Sequence, residues 1–488
     1  MKNIRAGAPA YFFIIVCVLL NRLCFMNKVV VMQKNHEWAK RLGCNVFKKE
    51  YGLKYAYLSG AMYRGIASKE LVVAMAKSGV MGFLGVGGVP LSKVGIDIDF
   101  IQQQLSNDES FGVNLLNDLD DPAAEMLSIE MYIARGVTNI EAAAFMQVTP
   151  ALVYFRLCGL RREGNRTVCG HRIIAKVSRP EVAAEYMLPA PKEMVEALLR
   201  DNKVTPEQAE LAKYIPISDD ICVEADSGGH TDQGVASVLL PAVQSLRDEL
   251  METHGYASRI RVGLAGGIGT PTAVAAAFMM DADFVVTGSV NQCTVEAATS
   301  DAVKDMLQGI NVQDTDYAPA GDMFELGAKV QVLKKGVLFP ARANKLLTLY
   351  RQYSSLEDLP NAVRKQLEEK FFKRSFDTLW VEVRDYYCST GRKAVVDKAE
   401  RLPKQKMAMI FKWYFSHSAK LALGGDVESA VDFQVHTGPA LGAFNQWVKG
   451  TELEDWRNRH VAGIAELLMV EAALLMQRKF HKLDSLAT

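Results

Sequence analysis

The 488-residue sequence has no excess of charge of either sign: 56 lysines and arginines stand against 56 aspartates and glutamates. That balance excludes the broad basic face that grips nucleic acid, so any charged partner must be met by a local cluster. Cysteine is sparse and unpatterned. Cys17, Cys24, Cys44, Cys158, Cys169, Cys222, Cys293 and Cys388 form no CxxC pair and no zinc spacing, which points to a reduced, cytoplasmic compartment. Long hydrophobic runs are missing as well. The apolar run Ala10–Leu20, behind Lys2 and Arg5, is shorter than the roughly 20 residues that cross a bilayer, and Asn21-Arg22-Leu23-Cys24 offers no small-residue cleavage site. With Met26 and Met32 close behind, the first residues, about 25 of them, read as a translation-start artefact or a dispensable extension, a membrane anchor being the alternative. Internal repeats, low-complexity tracts, an HExxH motif, a nucleophile elbow with Ser-His-Asp order and the Gly-Lys-Ser/Thr of a P-loop are all absent.

What the chain does carry is a regular alternation of short apolar runs with longer amphipathic ones, the pattern of parallel strands joined by crossover helices. Strands are expected at 55–59, 80–84, 111–115, 140–144, 171–177, 221–225, 260–264 and 284–287. Eight of them predict an α/β fold, a (β/α)8 TIM barrel, with extra helical material near 189–215 and a helical C-terminal domain. Ser68 and Asp121-Pro122 start helices behind the first and third strands, and Thr205-Pro206-Glu207 starts one in the insert. The expected division is an N-terminal extension over 1–50, the barrel over 51–328, and a basic connecting segment with the helical domain over 329–488. Asn291–Leu307 reads as one helix, 313–321 as a polar loop, and Val363–Tyr387, Lys404–Leu423 and Asp455–His481 as helices.

Barrel enzymes place their chemistry at the C-terminal ends of the strands. The stretch Arg261–Val290 supplies two glycine turns there, Gly266-Gly267 with Gly269 and Gly288-Ser289, the first of them opening a Pro-initiated helix. Backbone N–H groups in such turns can close on an anion, and the helix N-terminus behind them adds a favourable dipole. After the sixth strand comes Glu224-Ala-Asp-Ser-Gly-Gly-His230, where Gly228 and Gly229 admit a flat ligand. His230 is then a proton donor, a hydrogen bond to a cofactor, or a structural histidine. Asn114 offers a donor and an acceptor to an amide-like ring edge, or is a turn residue. Lys176 either favours negative charge on a reduced cofactor or pairs with a barrel carboxylate. Glu224 and Asp226 alternate in direction along their strand; His171 and Cys222 read as structural. Between 329 and 351 the basic residues, Lys334, Lys335, Arg342 and Lys345 among them, have no acidic neighbour, giving a solvated helix face or a dock for something anionic. Two phosphate turns without a nucleophile or metal cluster point to a phosphate-bearing cofactor that carries the reaction, and FMN fits best.

Asp226-Ser-Gly-Gly-His230, Ala265-Gly-Gly-Ile-Gly269 and Thr287-Gly-Ser289 resemble the flavin site of the nitronate monooxygenase and FMN-dependent enoyl reductase superfamily. More narrowly, Gly60-Ala-Met-Tyr-Arg-Gly-Ile-Ala-Ser68, Glu224–His230, Phe339-Pro-Ala-Arg-Ala-Asn-Lys345 and Thr437-Gly-Pro-Ala-Leu-Gly-Ala-Phe-Asn445 are similar to the PfaD-type trans-acting enoyl reductases. Those serve polyunsaturated fatty acid and polyketide synthases, and the likeness runs from Tyr51 into the C-terminal helices. It implies NADPH-dependent reduction of the α,β double bond of an enoyl thioester held on an acyl carrier protein, through FMN. By position, Ala61 and Met62 would line the flavin, Asn114 and Lys176 would stand at its ring, and Gly228 and Gly229 would let it approach. Gly266, Gly267, Gly288 and Ser289 would hold its phosphate. His230 matches the superfamily's active-site histidine. Lys334, Lys335, Arg342 and Lys345 would assist an acidic carrier protein or NADPH. No metal, nucleic acid or membrane partner is implied, and a homodimer is left open, as is NADPH against NADH. The competing readings are a nitronate monooxygenase, a non-catalytic docking subunit of a synthase, and an inosine-monophosphate-dehydrogenase-like barrel, which wants a catalytic cysteine that the loop after Cys222 lacks.

Overall fold

The computed structural model describes residues 36–106, 109–117 and 121–486, and the N-terminal apolar run lies outside them. In chain order the strands are β1 (Tyr57–Ser59), β2 (Met81–Leu84), β3 (Gly112–Leu116), β4 (Asn139–Ala143), β5 (Leu160–Glu163), β6 (Arg166–Cys169), β7 (Arg172–Val177), β8 (Asp220–Glu224), β9 (Gly229–His230), β10 (Arg261–Ala265), β11 (Val285–Thr287), β12 (Thr315–Pro319) and β13 (Lys329–Leu333). Eight of them close into a parallel barrel in the order β1-β11-β10-β8-β7-β4-β3-β2. Each barrel strand coincides with an expected run to within two residues. Buried on both faces, such strands read as unbroken apolar stretches, and Ile221, Val223, Val262, Leu264, Val285 and Val286 are all buried. The helices begin where the sequence marks them. Ser68 accepts from the N–H of Leu71, Thr205 and Gln208 form a full capping box, and Thr270 accepts from Ala273 ahead of the helix Pro271–Met279.

The barrel's parts are not where the expected boundaries at 50 and 329 fall. The helix Asn45–Tyr51 belongs to the barrel core: Phe47 stacks on Phe284 at 4.4 Å, and the Tyr51 hydroxyl donates to Asp220 at the base of β8 (2.8 Å). At the other end of the sequence, the helix Val461–Leu486 packs against Pro271–Met279 and Lys69–Lys77. It thus occupies the outer-helix place that follows the eighth barrel strand. Residues 289–460 are an insertion into that last βα unit. A second hydrophobic core lies within the insertion, built on Phe324, Phe339, Phe372, Phe411 and Tyr414.

Two local expectations also change, and one further element had no expectation set for it. Asn291–Leu307 is two helices, Ser289–Gln292 and Asp301–Leu307. Between them the backbone leaves helical pairing to bond with distant segments, Val295 N–H to Arg459 O (2.9 Å) and Ala298 N–H to Ile66 O (3.0 Å). The polar loop at 313–321 and the start of the basic segment are strands: β12, β13 and β9 form an antiparallel sheet. The alternation Lys329-Val-Gln-Val-Leu333, exposed at its lysine and buried at its valines, was the signal for it. The hairpin β5–β6 turns at Gly164-Asn165, with Gly164 at φ +59°, a hairpin dipeptide hidden in a charged run.

Candidate active site

The two glycine turns lie side by side after β10 and β11. Gly266 has φ +86°, and a Cβ there would sit 2.5 Å from the Ala225 carbonyl oxygen; Gly267 follows at φ +73°. Beside Gly267 and beside Gly288 no atom lies within 4 Å of where a Cβ would be, so the space in front of both turns is open. The helix Pro271–Met279 starts directly behind the first turn. A strap from the insertion lies over this end of the barrel. The Gly438 N–H donates to Ser289 Oγ (3.0 Å). A Cβ on Gly228 would meet Thr437 C at 2.7 Å, and one on Gly269 would meet the Ala440 oxygen at 2.1 Å.

Inside the barrel a polar chain runs from β4 to β8. Glu141 on β4, 1% exposed, accepts from the Ala61 N–H (2.9 Å) and faces Asn114 Nδ2 (3.4 Å), which also donates to the Glu141 carbonyl (3.1 Å). Lys176 Nζ lies 3.7 Å from Glu141 and 3.4 Å from Glu224, and Ser227 Oγ donates to Glu224 (3.0 Å). Burial raises the Glu141 carboxyl above its ordinary range, opposed by Lys176 and the Ala61 N–H. Burial works against the charge of Lys176, but the two carboxylates outweigh it and hold the ammonium protonated, its pKa above the ordinary lysine value. Of the two sequence readings of Lys176, the pairing with barrel carboxylates is the one observed. Glu141 shares that pairing with Glu224, and its signal was a glutamate standing alone in the apolar strand Asn139-Ile-Glu-Ala-Ala143.

His230 stands at the mouth on β9, whose partner β13 fixes its backbone opposite Val330. Its Nε2 lies 3.0 Å from Asp322 Oδ1, and its side chain is 42% exposed. Burial lowers its basicity, but the hydrogen bond and charge of Asp322 outweigh that and raise its pKa above the usual histidine value. Because a carboxylate only accepts, the neutral ring carries its proton on Nε2, leaving Nδ1 for other partners. A second histidine, unforeseen in the sequence, joins it. His436 bridges Val332, accepts from the Gln434 amide at Nε2 (2.8 Å), and stacks on Tyr63 at 5.6 Å between ring centroids. Burial, with the charges of His230 and Arg64, pushes its pKa down to about 4, against the pull of Asp322. Asp226 turns away from the barrel interior, accepting from Tyr317 Oη (2.5 Å) and Thr231 Oγ1 (2.7 Å). Met62 interlocks the loops after β1 and β2, its carbonyl oxygen 2.0 Å from where a Cβ on Gly85 would be.

The four basic residues are not one cluster. Arg342 is bound to the buried Asp432 and stacks over Phe371. That pairing takes it out of the expected dock, because its charge is spent inside the insertion. Lys335 bonds to Gly309 O (2.7 Å) and faces Asp314 at 3.7 Å. Lys334 and Lys345 are exposed, and neither makes a side-chain ion pair among the described residues. His171, as expected, is structural, stacked on Phe155 with Nδ1 at its carbonyl (2.8 Å).

A closed barrel that gathers its polar side chains at the C-terminal ends of its strands defines a (β/α)8-barrel enzyme. The comparisons with known proteins narrow that class. The chain is 47% identical to the enoyl reductase domain of MlnA from the macrolactin biosynthesis cluster of Bacillus amyloliquefaciens, with a TM-score of 0.88 over 91% of this chain and 99% of that one. It is 55% identical over 446 residues to the polyketide biosynthesis protein PksE of Bacillus subtilis, covering 91% of this chain and 58% of PksE. It is 42% identical over 417 residues to one of the polyunsaturated fatty acid synthase subunits of Thraustochytrium, covering 85% of this chain and 28% of the synthase polypeptide. The chain therefore spans little more than half the length of PksE and less of the synthase polypeptide. Residues 353–433 match a family model described as the inserted helical domain of [acyl-carrier-protein] S-malonyltransferase. The chain belongs to the PfaD-type enoyl reductase family of polyketide and polyunsaturated fatty acid synthases.

Proposed function

We propose that the protein is an FMN-dependent enoyl reductase that acts in trans on enoyl thioesters carried by acyl carrier protein domains, with NADPH as the source of reducing equivalents. The observation that carries this reading is the pair of glycine turns with open space in front of Gly267 and Gly288, beside a mouth furnished with His230 and Asp322. A side chain at either glycine would fill the cradle, and the N–H groups there fit a phosphate monoester. When bound, the flavin would supply hydride to the β carbon of the double bond.

The chain's own residues supply the rest. Gly266, Gly267, Gly288 and Ser289 hold the phosphate end, and Gly229 leaves room for the ring, whereas the space beside Gly228 is taken by the strap at Thr437 and not by a ligand. Ala61 and Met62 line the ring from the first loop, while Asn114, through its free Oδ1, and the Lys176 ammonium would meet it from positions fixed by the network around Glu141 and Glu224. Asp322 keeps a proton on His230 to higher pH than a free imidazole would. In its charged form His230 then offers a second proton at Nδ1 to the α carbon or the thioester carbonyl. Lys334 and Lys345 are the free cations left to meet an acidic carrier.

The test is direct. The purified protein is expected to be yellow and to consume NADPH with an enoyl thioester, more readily when the chain is carrier-bound. A colourless protein that binds no added FMN, or one that takes up O₂ with a nitronate and ignores the enoyl thioester, refutes the assignment.

A further inference from the structure

Arg64 is a cation at the mouth that takes no part in the network around Glu141 and Glu224. It follows β1 in the segment Gly60-Ala-Met-Tyr-Arg-Gly65, and its backbone lies at φ +53°, ψ +35°, a left-handed conformation in which a side chain is strained. Glycine or asparagine would take that conformation more readily, yet the sequence puts the largest cation there. Its Nε is buried without a hydrogen-bond partner, and its guanidinium makes no ion pair among the described residues. Nη1 and Nη2, neither buried nor hydrogen-bonded among the described residues, are the donors left for an acceptor from outside the protein.

The surroundings hold that group in place. The Arg64 N–H donates to the Gly87 carbonyl (2.8 Å), and Arg64 Cγ lies 3.4 Å from where a Cβ on Gly88 would be. The side chain is thus pinned across the loops that follow β1 and β2. The guanidinium sits over the Tyr63 ring (5.1 Å), and that ring stacks on His436. The result is a cation on an aromatic shelf at the rim of the mouth. Glu141 and Glu224 both face Lys176, and Arg64 makes an ion pair with neither.

We propose that Arg64 recognises the phosphate group of an incoming reactant, with Tyr63 and His436 forming the wall against which that reactant lies. The planar fork of a guanidinium matches phosphate oxygens two at a time. Two reactants of the proposed reaction carry such a group: the 2′-phosphate of the dinucleotide and the phosphate of the phosphopantetheine arm. The inference rests on the proposed function for its choice of ligands. It is distinct from the cradle at Gly267 and Gly288, which lies on the other side of β1, after β10 and β11.

The experiment is equilibrium binding to the flavin-loaded protein by calorimetry, with two matched pairs: NADP⁺ against NAD⁺, and 4′-phosphopantetheine against pantetheine. Wild-type protein is expected to bind the phosphorylated member of one pair about tenfold or more tightly, and the pair that responds names the source. Arg64→Asn, chosen because asparagine tolerates the left-handed backbone, is expected to abolish that preference while leaving the unphosphorylated member's affinity unchanged. Arg64→Lys, which keeps the charge and loses the fork, is expected to retain part of it. The proposal is overturned if the wild type shows no preference in either pair, a result that needs no variant to fold. It is overturned equally if the preference survives in a natively melting Arg64→Asn. Loss of the proposed function reads differently: a protein without flavin or enoyl reduction would strike the activity, whereas an active enzyme with no Arg64-dependent preference would strike this site alone.

Discussion

His230 and His436 share one mouth and are driven in opposite directions, which gives each a separate signature against pH. The pKa of His436 is depressed to about 4, so its contribution to stability is present above the ordinary histidine value of about 6.5 and is lost as pH falls toward 4. In thermal melts, the drop between pH 7 and pH 4 is expected to be smaller in His436→Asn than in wild type, by about 2 to 3 kcal/mol. His230 is raised, so its contribution is whole at low pH and fades as pH rises through its folded value. Asp322→Asn removes the charge, and leaves only a neutral acceptor, at the bond that raises it. The alkaline limb of kcat/KM for enoyl reduction is expected to move to lower pH, while His230→Gln is expected to remove that limb with most of the rate. An unmoved limb in Asp322→Asn would detach the pair from the chemistry. His230 was legible because two glycines ahead of it mark a strand end. His436 was not, since only its pairing with β13, over a hundred residues earlier in the chain, brings it to the mouth.

At the level of elements, the barrel was legible and its furniture was not. Strands buried on both faces write themselves as apolar runs, so β1, β2, β3, β4, β7, β8, β10 and β11 could be read one after another. The sheet β12–β13–β9 exposes Asp316, Lys329 and His230 and buries the polar Gln331, so it passed for a loop and a basic helix. The register of β9 against β13 is what places His230, and no local pattern encodes it. The strap over the glycine turns is equally non-local. Gly269→Ala would put a Cβ 2.1 Å from the Ala440 oxygen, backbone against backbone, so the glycine turn and the strap must move apart. The expected cost is about 1 to 3 kcal/mol of stability, and the variant's affinity for FMN is expected to fall further than that of a surface control such as Gly463→Ala, whose Cβ meets nothing. Equal flavin titrations for the two would show that the strap plays no part in the cradle.

Over the whole molecule, the helix Val461–Leu486 decides what can be cut. The sequence suggested a C-terminal helical body that packs on a finished barrel. The structure makes that helix a stave of the barrel, burying Val461, Ile464, Leu468 and Met469 against Pro271–Met279 and Lys69–Lys77. Removing four such side chains forfeits about 6 to 12 kcal/mol of burial, comparable to the whole stability of a typical domain. A chain ended at His460 is therefore expected to be insoluble or to lack a cooperative melt. Recovery of a truncated protein that melts like the full chain would reverse the assignment of the eighth helix.

The same insertion sets a condition on synthesis. The eighth strand leaves the ribosome long before the helix that should cover it, and at about 5 to 20 residues per second the delay is roughly 10 to 30 seconds. Throughout that interval the nascent barrel has one bare flank, while the residues of the inserted core around Phe324 and Phe411 all emerge before the closing helix does. Translation order thus makes the insertion the first half of this region to be complete and the barrel the last, and a chaperone that shelters emerging chains would find its client in the enzyme's most regular part.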